Sequence, residues 1–289
     1  MKGVTDKEGV CRFEHIPVGV YTIKETGGVN EAYLIAEPQE VTVLYAQEST
    51  AEFFNKEKEG TIKITKRTEG NINVEGIKFI LTGKSDSGRD ITAEAVTDKD
   101  GVCSFTVPCG QYTITEDKDS VPTAYLVAEK QSVKVEYEKQ SEIEFFNKEK
   151  EGEIELHKRT ENEDKDAIKG IRFMLEGVSD SGRKIKVEAV TNENGVCKFV
   201  VPIGKYTITE DGSTVPSGYL TASPQSVKVE YAKTSAVTFI NKPSTPPNTP
   251  PDTPPQTGYS GNSLASGIML GIVALGAVAM LIAKKKDDK

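Results

Sequence analysis

The sequence predicts an all-β protein of tandem β-sandwich domains, followed by a proline-rich linker and a C-terminal transmembrane helix. Three observations support this prediction: a unit that recurs along the chain, short stretches that alternate apolar and polar residues, and a long apolar stretch near the C-terminus. Before that apolar stretch, no segment keeps a 3.6-residue apolar period for more than a turn or two. The repeated units are therefore expected to contain strands and not helices.

Short peptides recur along the chain at intervals of about 92 to 94 residues. They are Gly-Val-Cys at 9–11, 101–103 and 195–197, Tyr-Thr-Ile at 21–23, 112–114 and 206–208, and a closing Phe-(Phe/Ile)-Asn-Lys at 53–56, 145–148 and 239–242. The predicted domains are a truncated unit at 1–57, full units at 58–149 and 150–243, a proline-rich linker at 244–258 and a tail at 259–289. Because the first unit lacks its opening, we expect further natural sequence upstream of Met1.

Each unit carries the period-2 pattern of half-buried strands. Residues 133–137, Val-Lys-Val-Glu-Tyr, alternate apolar and polar side chains. The pairs Asp100-Gly101 and Asn194-Gly195 predict hairpin turns. Short strands over about 90 residues indicate a β-sandwich. The junctions between units are short, so neighbouring domains are expected to stack as a rod.

Composition narrows the classes of function. The chain has 36 Lys and Arg against 44 Asp and Glu, a formal net charge of -8, which argues against a nucleic-acid or anionic-membrane surface. Two histidines nearly exclude a catalytic or metal site built on histidine. We therefore expect no cofactor, no metal site and no nucleic-acid partner. Residues 98–101, Asp-Lys-Asp-Gly, are interpreted as a turn and not as part of a calcium loop.

Cysteine occurs once per unit, with one extra copy. Cys11, Cys103 and Cys197 each precede a phenylalanine by two residues, which predicts small core side chains. Cys109 is the extra cysteine and lies near a turn. A bridge between Cys103 and Cys109 is left open as an alternative.

Three polar residues in each full unit continue the inward-facing parity of an apolar strand. They are Lys66, Glu116 and Asn147 in the second unit, and Lys158, Glu210 and Asn241 in the third. Isolated buried charges are costly, so such groups pair or change protonation. Burial lowers the pKa of a lysine and raises that of a glutamate. The alternative is a lysine reaching out to solvent at a strand end, a surface glutamate and a turn asparagine.

This set of residue types can form a covalent bond. A neutral lysine amine is a nucleophile. A protonated glutamate can polarise the side-chain carbonyl of an asparagine and make its carbon electrophilic. Attack on that carbon would release ammonia and leave a Lys–Asn isopeptide bond.

The order and spacing of these motifs resemble the Cna B-type (prealbumin-like, SpaA-like) domain of Gram-positive adhesins and pilins. The matching peptides are Ile-Thr-Lys of the first strand, Gly-x-Tyr-Thr-Ile-Thr-Glu and the final Phe-Phe-Asn-Lys. The resemblance implies a reverse immunoglobulin-like β-sandwich. The cross-links it implies, each with its catalytic glutamate, are Lys66–Asn147 with Glu116 and Lys158–Asn241 with Glu210. The first unit keeps Glu25 and Asn55 but has no lysine partner.

The C-terminal region resembles a cell-wall sorting signal. Its motif is Pro254, Pro255, Gln256, Thr257 and Gly258. An uncharged apolar stretch at 264–283 follows, long enough to span about 30 Å as a helix, and then three lysines. The resemblance implies that a sortase cuts between Thr257 and Gly258 and joins the protein to peptidoglycan. The usual leading leucine is Pro254 here, which leaves the class of sortase open, although PPxTG variants resemble substrates of class B-like enzymes. The alternative is a plain membrane anchor.

Together these predictions describe the wall-proximal stalk of a secreted, covalently anchored surface protein that presents an upstream binding region. Contact with the membrane, through 264–283, would be transient. No catalysis beyond self-cross-linking is expected. Three alternatives are left open. The repeats bind a host extracellular-matrix protein, the chain is a pilin subunit polymerised by sortase, or it belongs to an enzyme whose catalytic domain lies upstream, which no residue of this sequence supports.

Overall fold

The computed structural model describes residues 1–244 of the 289-residue chain. Within these residues the regular structure is sixteen β-strands and one 3-10 turn, Gly212–Thr214. No helix in this part of the chain is long and apolar enough to cross a membrane. The sorting motif, the apolar stretch at 264–283 and the linker beyond residue 244 lie outside the described residues.

The first repeat contains a two-stranded antiparallel ribbon, β1 (Gly19–Ile23) with β2 (Gln39–Val43). Its central tyrosine, Tyr21, is 37% exposed, whereas the equivalent Tyr112 and Tyr206 of the full repeats are each 2% exposed. The difference arises because residues 1–57 contain no counterpart of the opening strands that cover this position in the full repeats.

The second repeat is a sandwich of two sheets. Its strands are β3 (Glu59–Thr68), β4 (Lys78–Ser85), β5 (Asp90–Val96), β6 (Val102–Pro108), β7 (Gly110–Glu116), β8 (Gln131–Val135) and β9 (Gln140–Asn147). One sheet has the order β6-β3-β9 and the other β5-β4-β7-β8. β3 and β9 run parallel, so the first and last strands of the repeat lie side by side.

The third repeat has the same topology. Its strands are β10 (Glu151–Thr160), β11 (Arg172–Ser179), β12 (Lys184–Val190), β13 (Val196–Pro202), β14 (Gly204–Glu210), β15 (Gln225–Val229) and β16 (Thr234–Asn241). The sheet orders are β13-β10-β16 and β12-β11-β14-β15, and β10 runs parallel to β16. The repetition seen in the sequence is therefore a repetition of structure.

Alternating apolar residues fill the space between the two sheets of each repeat. In the second repeat Phe79 and Phe145 come from opposite sheets, and their ring centroids lie 4.8 Å apart. Phe173 and Phe239 make the equivalent contact at 4.9 Å in the third repeat. Burying aromatic rings in this way supplies much of the hydrophobic stabilisation of a small sandwich.

Two local predictions from the sequence are wrong. The turns at Asp100-Gly101 and Asn194-Gly195 do not close hairpins, because each connects strands that belong to different sheets. The alternation over 133–137 predicts that Tyr137 continues the buried face of β8, but Tyr137 is 40% exposed because the strand ends at Val135 and the chain turns. The Lys58 ammonium lies 5.9 Å from the centroid of its ring.

Gly83 on β4 lies opposite Tyr112 on β7, where the two backbones leave no room for a side chain. A Cβ at this position would overlap the Gln111 carbonyl oxygen and lie 2.8 Å from Tyr112 Cδ1. Gly83→Ala is expected to destabilise the second repeat by about 1–3 kcal/mol, because the strands must move apart. Thermal unfolding checks this, with Thr82→Ala on the exposed face as the control. Equal melting temperatures for the two variants would contradict it.

Candidate cross-link site

The predicted triad of the second repeat lies where strand ends from both sheets meet. Ile62, Ile64 and Lys66 are alternate residues of β3, and all three side chains point into the core. Asn147 is the last residue of β9, the parallel neighbour of β3. Glu116 is the last residue of β7 in the facing sheet. The amine and the carboxamide therefore belong to one sheet of the sandwich, and the carboxyl group belongs to the other.

In the second repeat, Lys66 and Asn147 each contact the carboxyl group of Glu116. Lys66 Nζ lies 3.4 Å from Glu116 Oε1, and both side chains are fully buried. Asn147 Nδ2 donates a hydrogen bond of 3.0 Å to Glu116 Oε2. The lysine also donates to the carbonyl oxygens of Arg67 at 2.7 Å and Phe145 at 3.4 Å. Glu116 thus lies between the two groups that a cross-link would join.

Burial lowers the pKa of the Lys66 ammonium, and the nearby Glu116 carboxylate offsets only part of that effect. The same balance lowers the pKa of Lys158 beside Glu210. A lower pKa increases the fraction of neutral amine, which is the nucleophilic form. The environment of each lysine therefore favours attack on a neighbouring electrophile.

Two buried oxygens of the second-repeat triad, Glu116 Oε1 and Asn147 Oδ1, have no hydrogen-bond partner. Rotating the Asn147 carboxamide by half a turn would place Oδ1 where Nδ2 now lies, 3.0 Å from Glu116 Oε2. A protonated Glu116 would then donate to that oxygen and draw electron density from the carboxamide carbon. This rotation would give a partner to one of the two unpaired oxygens of the triad.

The third repeat brings the same three residues to the same strand ends, with one difference. Lys158 Nζ lies 3.7 Å from Glu210 Oε1, and both side chains are fully buried. The lysine also donates to the Arg159 carbonyl oxygen at 2.6 Å. Both polar atoms of the buried Asn241 side chain have no hydrogen-bond partner. Burying a carboxamide whose polar atoms make no hydrogen bonds is costly, so the Asn241 side chain destabilises the folded repeat in this arrangement.

The first repeat keeps the acid and amide without an amine. Asn55 Nδ2 donates to Glu25 Oε2 at 2.6 Å and to the Leu34 carbonyl oxygen at 2.8 Å. Both residues are half-buried. The first unit has no strand corresponding to β3 and so no counterpart of Lys66, as the sequence predicted.

Residues 60–149 and 152–243 each match the SpaA prealbumin-like fold domain family. The chain belongs to the SpaA prealbumin-like fold domain family. The prediction of an all-β chain with tandem prealbumin-like domains is thereby confirmed. Domains of this family are typical of Gram-positive cell-surface proteins.

One solved structure shares this fold, and two pilin structures align with the chain less well. The Bacillus anthracis TIE protein is 23% identical with a TM-score of 0.61, and the match covers 82% of this chain. The chain spans 44% of the length of that relative. The minor pilin GBS52 of Streptococcus agalactiae is 18% identical with a TM-score of 0.31, and the match covers 66% of this chain and 99% of that one. The shaft pilin SpaA of Lactobacillus rhamnosus GG is 14% identical with a TM-score of 0.29, covering 65% and 98%. No curated protein matches the sequence.

Sequence reasoning missed a backbone group that holds the acid of each SpaA-like repeat. The amide N–H of Ala128 donates to Glu116 Oε2 at 2.8 Å, and that of Ala222 donates to Glu210 Oε2 at 2.7 Å. Ala36 makes the equivalent bond of 3.0 Å to Glu25. A signal was present, because each alanine ends a Tyr-Leu-x-Ala peptide that recurs at 33–36, 125–128 and 219–222.

Sequence reasoning also missed the turn that binds the backbone of each triad lysine. The Lys66 N–H donates to the Gly101 carbonyl oxygen at 2.7 Å, and the Lys158 N–H donates to Gly195 in the same way. Gly101 has a φ of +75°, and a Cβ there would lie 2.6 Å from the Lys66 carbonyl oxygen. Glycine is therefore needed both for the turn and for its close approach to β3.

The cysteines of the SpaA-like repeats are free. Cys103 and Cys197 are buried in the two cores, as predicted, whereas Cys11 is only partly buried. Burial raises the pKa of each core thiol to about 11, which keeps it protonated and unreactive. A Cys103–Cys109 bridge is excluded, because six residues of extended strand place the two Cα atoms roughly 20 Å apart.

No metal site is evident in the part of the chain that the structure describes, where no group of three His, Cys, Asp or Glu side chains is placed to bind an ion. In the 98–101 turn the Asp98 carboxylate instead accepts the backbone N–H groups of Asp100 and Val102, each at 2.9 Å. The aspartate therefore stabilises the turn itself.

Proposed function

We propose that this chain is the stalk of a sortase-anchored surface protein of a Gram-positive cell, and that Lys–Asn isopeptide bonds cross-link its full repeats. One observation carries the proposal: both full repeats bury a lysine, a glutamate and an asparagine together at the ends of their first and last strands. Burial of three such groups is costly unless a bond or a network results.

The cross-linking reaction balances without a co-reactant. In the second repeat the neutral Lys66 amine attacks the Asn147 carboxamide carbon while Glu116 donates a proton to the carboxamide oxygen. The new bond joins Nζ to that carbon. Glu116 then takes a proton from the attacking nitrogen and delivers it to Nδ2. The bond between carbon and Nδ2 breaks, and the carboxamide oxygen returns its proton to Glu116 as the carbonyl forms again. One ammonia leaves for each amide formed, and Glu116 is regenerated.

The position of the bond suits a chain under tension. Force enters the second repeat at the beginning of β3 and leaves at the end of β9, and these strands lie side by side. A Lys66–Asn147 bond would carry the load directly between them. The strands from β4 to β8 lie between these positions in the chain, so they would be bypassed. The third repeat would behave in the same way through Lys158 and Asn241.

Anchoring is proposed from the sequence of the C-terminal region. The motif at 254–258 would be cut after Thr257 by a sortase, which would transfer the protein to peptidoglycan. The segment at 264–283 would hold the precursor in the membrane until that step. Thr257→Ala is expected to abolish covalent attachment, because the acyl bond that sortase forms involves this residue. The measurement is the share of protein that muralytic digestion releases from boiled walls of an expressing Gram-positive host.

The chain offers a matched control for that experiment. Thr253 ends an earlier Pro-Pro-x-Thr peptide that is not followed by glycine. Thr253→Ala should leave the wall-bound fraction unchanged. An equal wall-bound fraction for Thr257→Ala and the unaltered chain would contradict sortase anchoring through this motif.

A pilin subunit is the second candidate, and membership of the SpaA domain family supports it. The two candidate functions predict different masses for the protein in an extract of the cell wall. A stalk attached singly should yield one discrete species, whereas a polymerised pilin yields a ladder of high mass. Binding of the repeats to a host-matrix protein stays a prediction, which a pull-down with purified matrix proteins would test.

A further inference from the structure

A buried carboxylate connects the two full repeats at a place remote from the cross-link site. The backbone of Glu149 belongs to the second repeat, where it forms an isolated antiparallel bridge with Tyr125. Its side chain, however, is enclosed by a turn of the third repeat and is only 1% exposed. A buried carboxylate needs several donors, and this one obtains them from the neighbouring repeat.

The donors come from residues 179–183, whose sequence is Ser-Asp-Ser-Gly-Arg. Ser179 Oγ donates to Glu149 Oε1 at 3.1 Å, and Ser181 Oγ donates to the same oxygen. Arg183 Nε donates to Oε2 at 2.7 Å, and its Nη2 forms an ion pair with that oxygen. Each carboxylate oxygen is thus bound by two groups of the turn. Such charge-assisted bonds are about twice as strong as neutral ones.

The same turn contacts the second repeat at further points. Arg183 Nη2 reaches Glu69 Oε1 at 3.4 Å, and Glu69 Oε2 accepts the backbone N–H of Glu149 at 3.1 Å. Asn73 Nδ2 donates to the Ser181 carbonyl oxygen at 2.9 Å. Two side chains of the second repeat therefore bind the turn in addition to Glu149.

The preceding junction repeats the arrangement. Residues 85–89 have the identical sequence, and Ser85 Oγ donates to Glu57 Oε1 at 3.0 Å. Ser87 and Arg89 also bind the Glu57 carboxylate. Burial alone would raise the pKa of Glu57, but the hydrogen bonds from Ser87, Ser85 and Arg89 outweigh it and lower the pKa.

The last repeat shows where the pattern stops. Pro243 takes the bridging position of Glu149, opposite Tyr219, and a proline-rich segment follows it. Glu161, the counterpart of Glu69, pairs instead with Lys242 at 3.4 Å. The glutamate is present at the two junctions that lead into another Ser-Asp-Ser-Gly-Arg turn and absent where no such turn follows.

We propose that the Ser-Asp-Ser-Gly-Arg turn is a carboxylate-binding site through which each repeat holds the end of the repeat before it. Its ligand is the glutamate that bridges to the Tyr-Leu-x-Ala peptide of the preceding repeat. This site restricts motion at the junction, so that consecutive repeats move together. The coupling is independent of the isopeptide bonds, because none of its residues belongs to the triads.

Tryptic cleavage of the full chain at its junctions tests the proposal. The second junction offers Lys148 and Lys150, and the first offers Lys56 and Lys58. Arg183→Gln changes neither junction sequence but removes the ion pair and the forked hydrogen bonds. It is expected to speed cleavage at Lys148 and Lys150 about tenfold, because cleavage follows the population of the open junction.

Matched variants make the result specific. Arg89→Gln should speed cleavage at Lys56 and Lys58 only, and Ser181→Ala should give a smaller increase at the second junction. Arg172→Gln, which alters a half-exposed arginine of the same repeat, should change neither rate. Cleavage fragments are identified by mass, and thermal unfolding of each variant is recorded in parallel.

Two results would overturn the proposal. One is an Arg183→Gln cleavage rate within about twofold of the unaltered chain. The other is faster cleavage throughout the third repeat with a lowered melting temperature, since the turn would then stabilise its own repeat and not the junction. Faster cleavage confined to Lys148 and Lys150, at an unchanged melting temperature, supports the coupling site.

Discussion

The intact mass of the chain is expected to fall below its sequence mass by two molecules of ammonia, one for each full repeat. Glu116→Gln should reduce the deficit to one ammonia, and combining it with Glu210→Gln should abolish the deficit. The amide side chain keeps the volume of the glutamate but cannot carry the proton from amine to leaving group. Mass spectrometry of the denatured protein measures the deficit directly.

Loss of the bond should also appear as loss of stability. Lys66 and Asn147 enclose a loop of about 80 residues, and by the chain-entropy relation for covalent cross-links its closure contributes about 4–5 kcal/mol. Glu94→Gln on the same sheet is the control, because the Glu94 side chain is mostly exposed and pairs only with Lys78 at 3.6 Å. The control should keep both ammonia deficits. An unaltered chain of full sequence mass would contradict the cross-links.

Pulling the chain from its two ends should not extend the residues between Lys66 and Asn147 or those between Lys158 and Asn241. With the first and last strands joined covalently, the residues between them cannot be drawn out by force. In the Glu116→Gln variant the second repeat should unfold and lengthen by roughly 280 Å, because about 80 residues become extensible at about 3.5 Å each. Single-molecule force spectroscopy measures this step.

The tandem arrangement supplies an internal control for that experiment. A chain carrying only Glu116→Gln should show one long step, and a chain that also carries Glu210→Gln should show two. The first repeat has no lysine partner, so its short extension forms a background common to every variant. Two long steps from the unaltered chain would rule out the proposed mechanical role.

Much of the candidate site could be predicted from the chain alone. Side chains alternate along a strand with a period of two, so the apolar residues Ile62 and Ile64 predict the inward direction of Lys66. The same parity argument placed Glu116 and Asn147 inside, and the structure buries both. Repetition strengthened each inference, because the third repeat carries the same pattern independently.

The failures have a common physical origin. The Asp100-Gly101 pair predicts a turn but not which strands it connects, and here it crosses between sheets. Tyr137 has the right parity but lies past the end of β8. The group that binds Glu116 is the backbone N–H of Ala128, which no side-chain pattern can predict. The only indication in the sequence is that the Tyr-Leu-x-Ala peptide recurs. Local sequence patterns do not predict where a strand ends or which strand pairs with it.

The order of apolar and polar residues is enough to predict that the chain is β-structured and repeated, and which of its side chains avoid water. The folded chain is needed to show that β3 lies parallel to β9 and faces β7, which brings Lys66, Asn147 and Glu116 together. The folded chain is also needed to show that the Glu149 side chain binds the turn of the next repeat. These contacts join residues that are far apart in the chain, and they depend on how the whole sandwich packs.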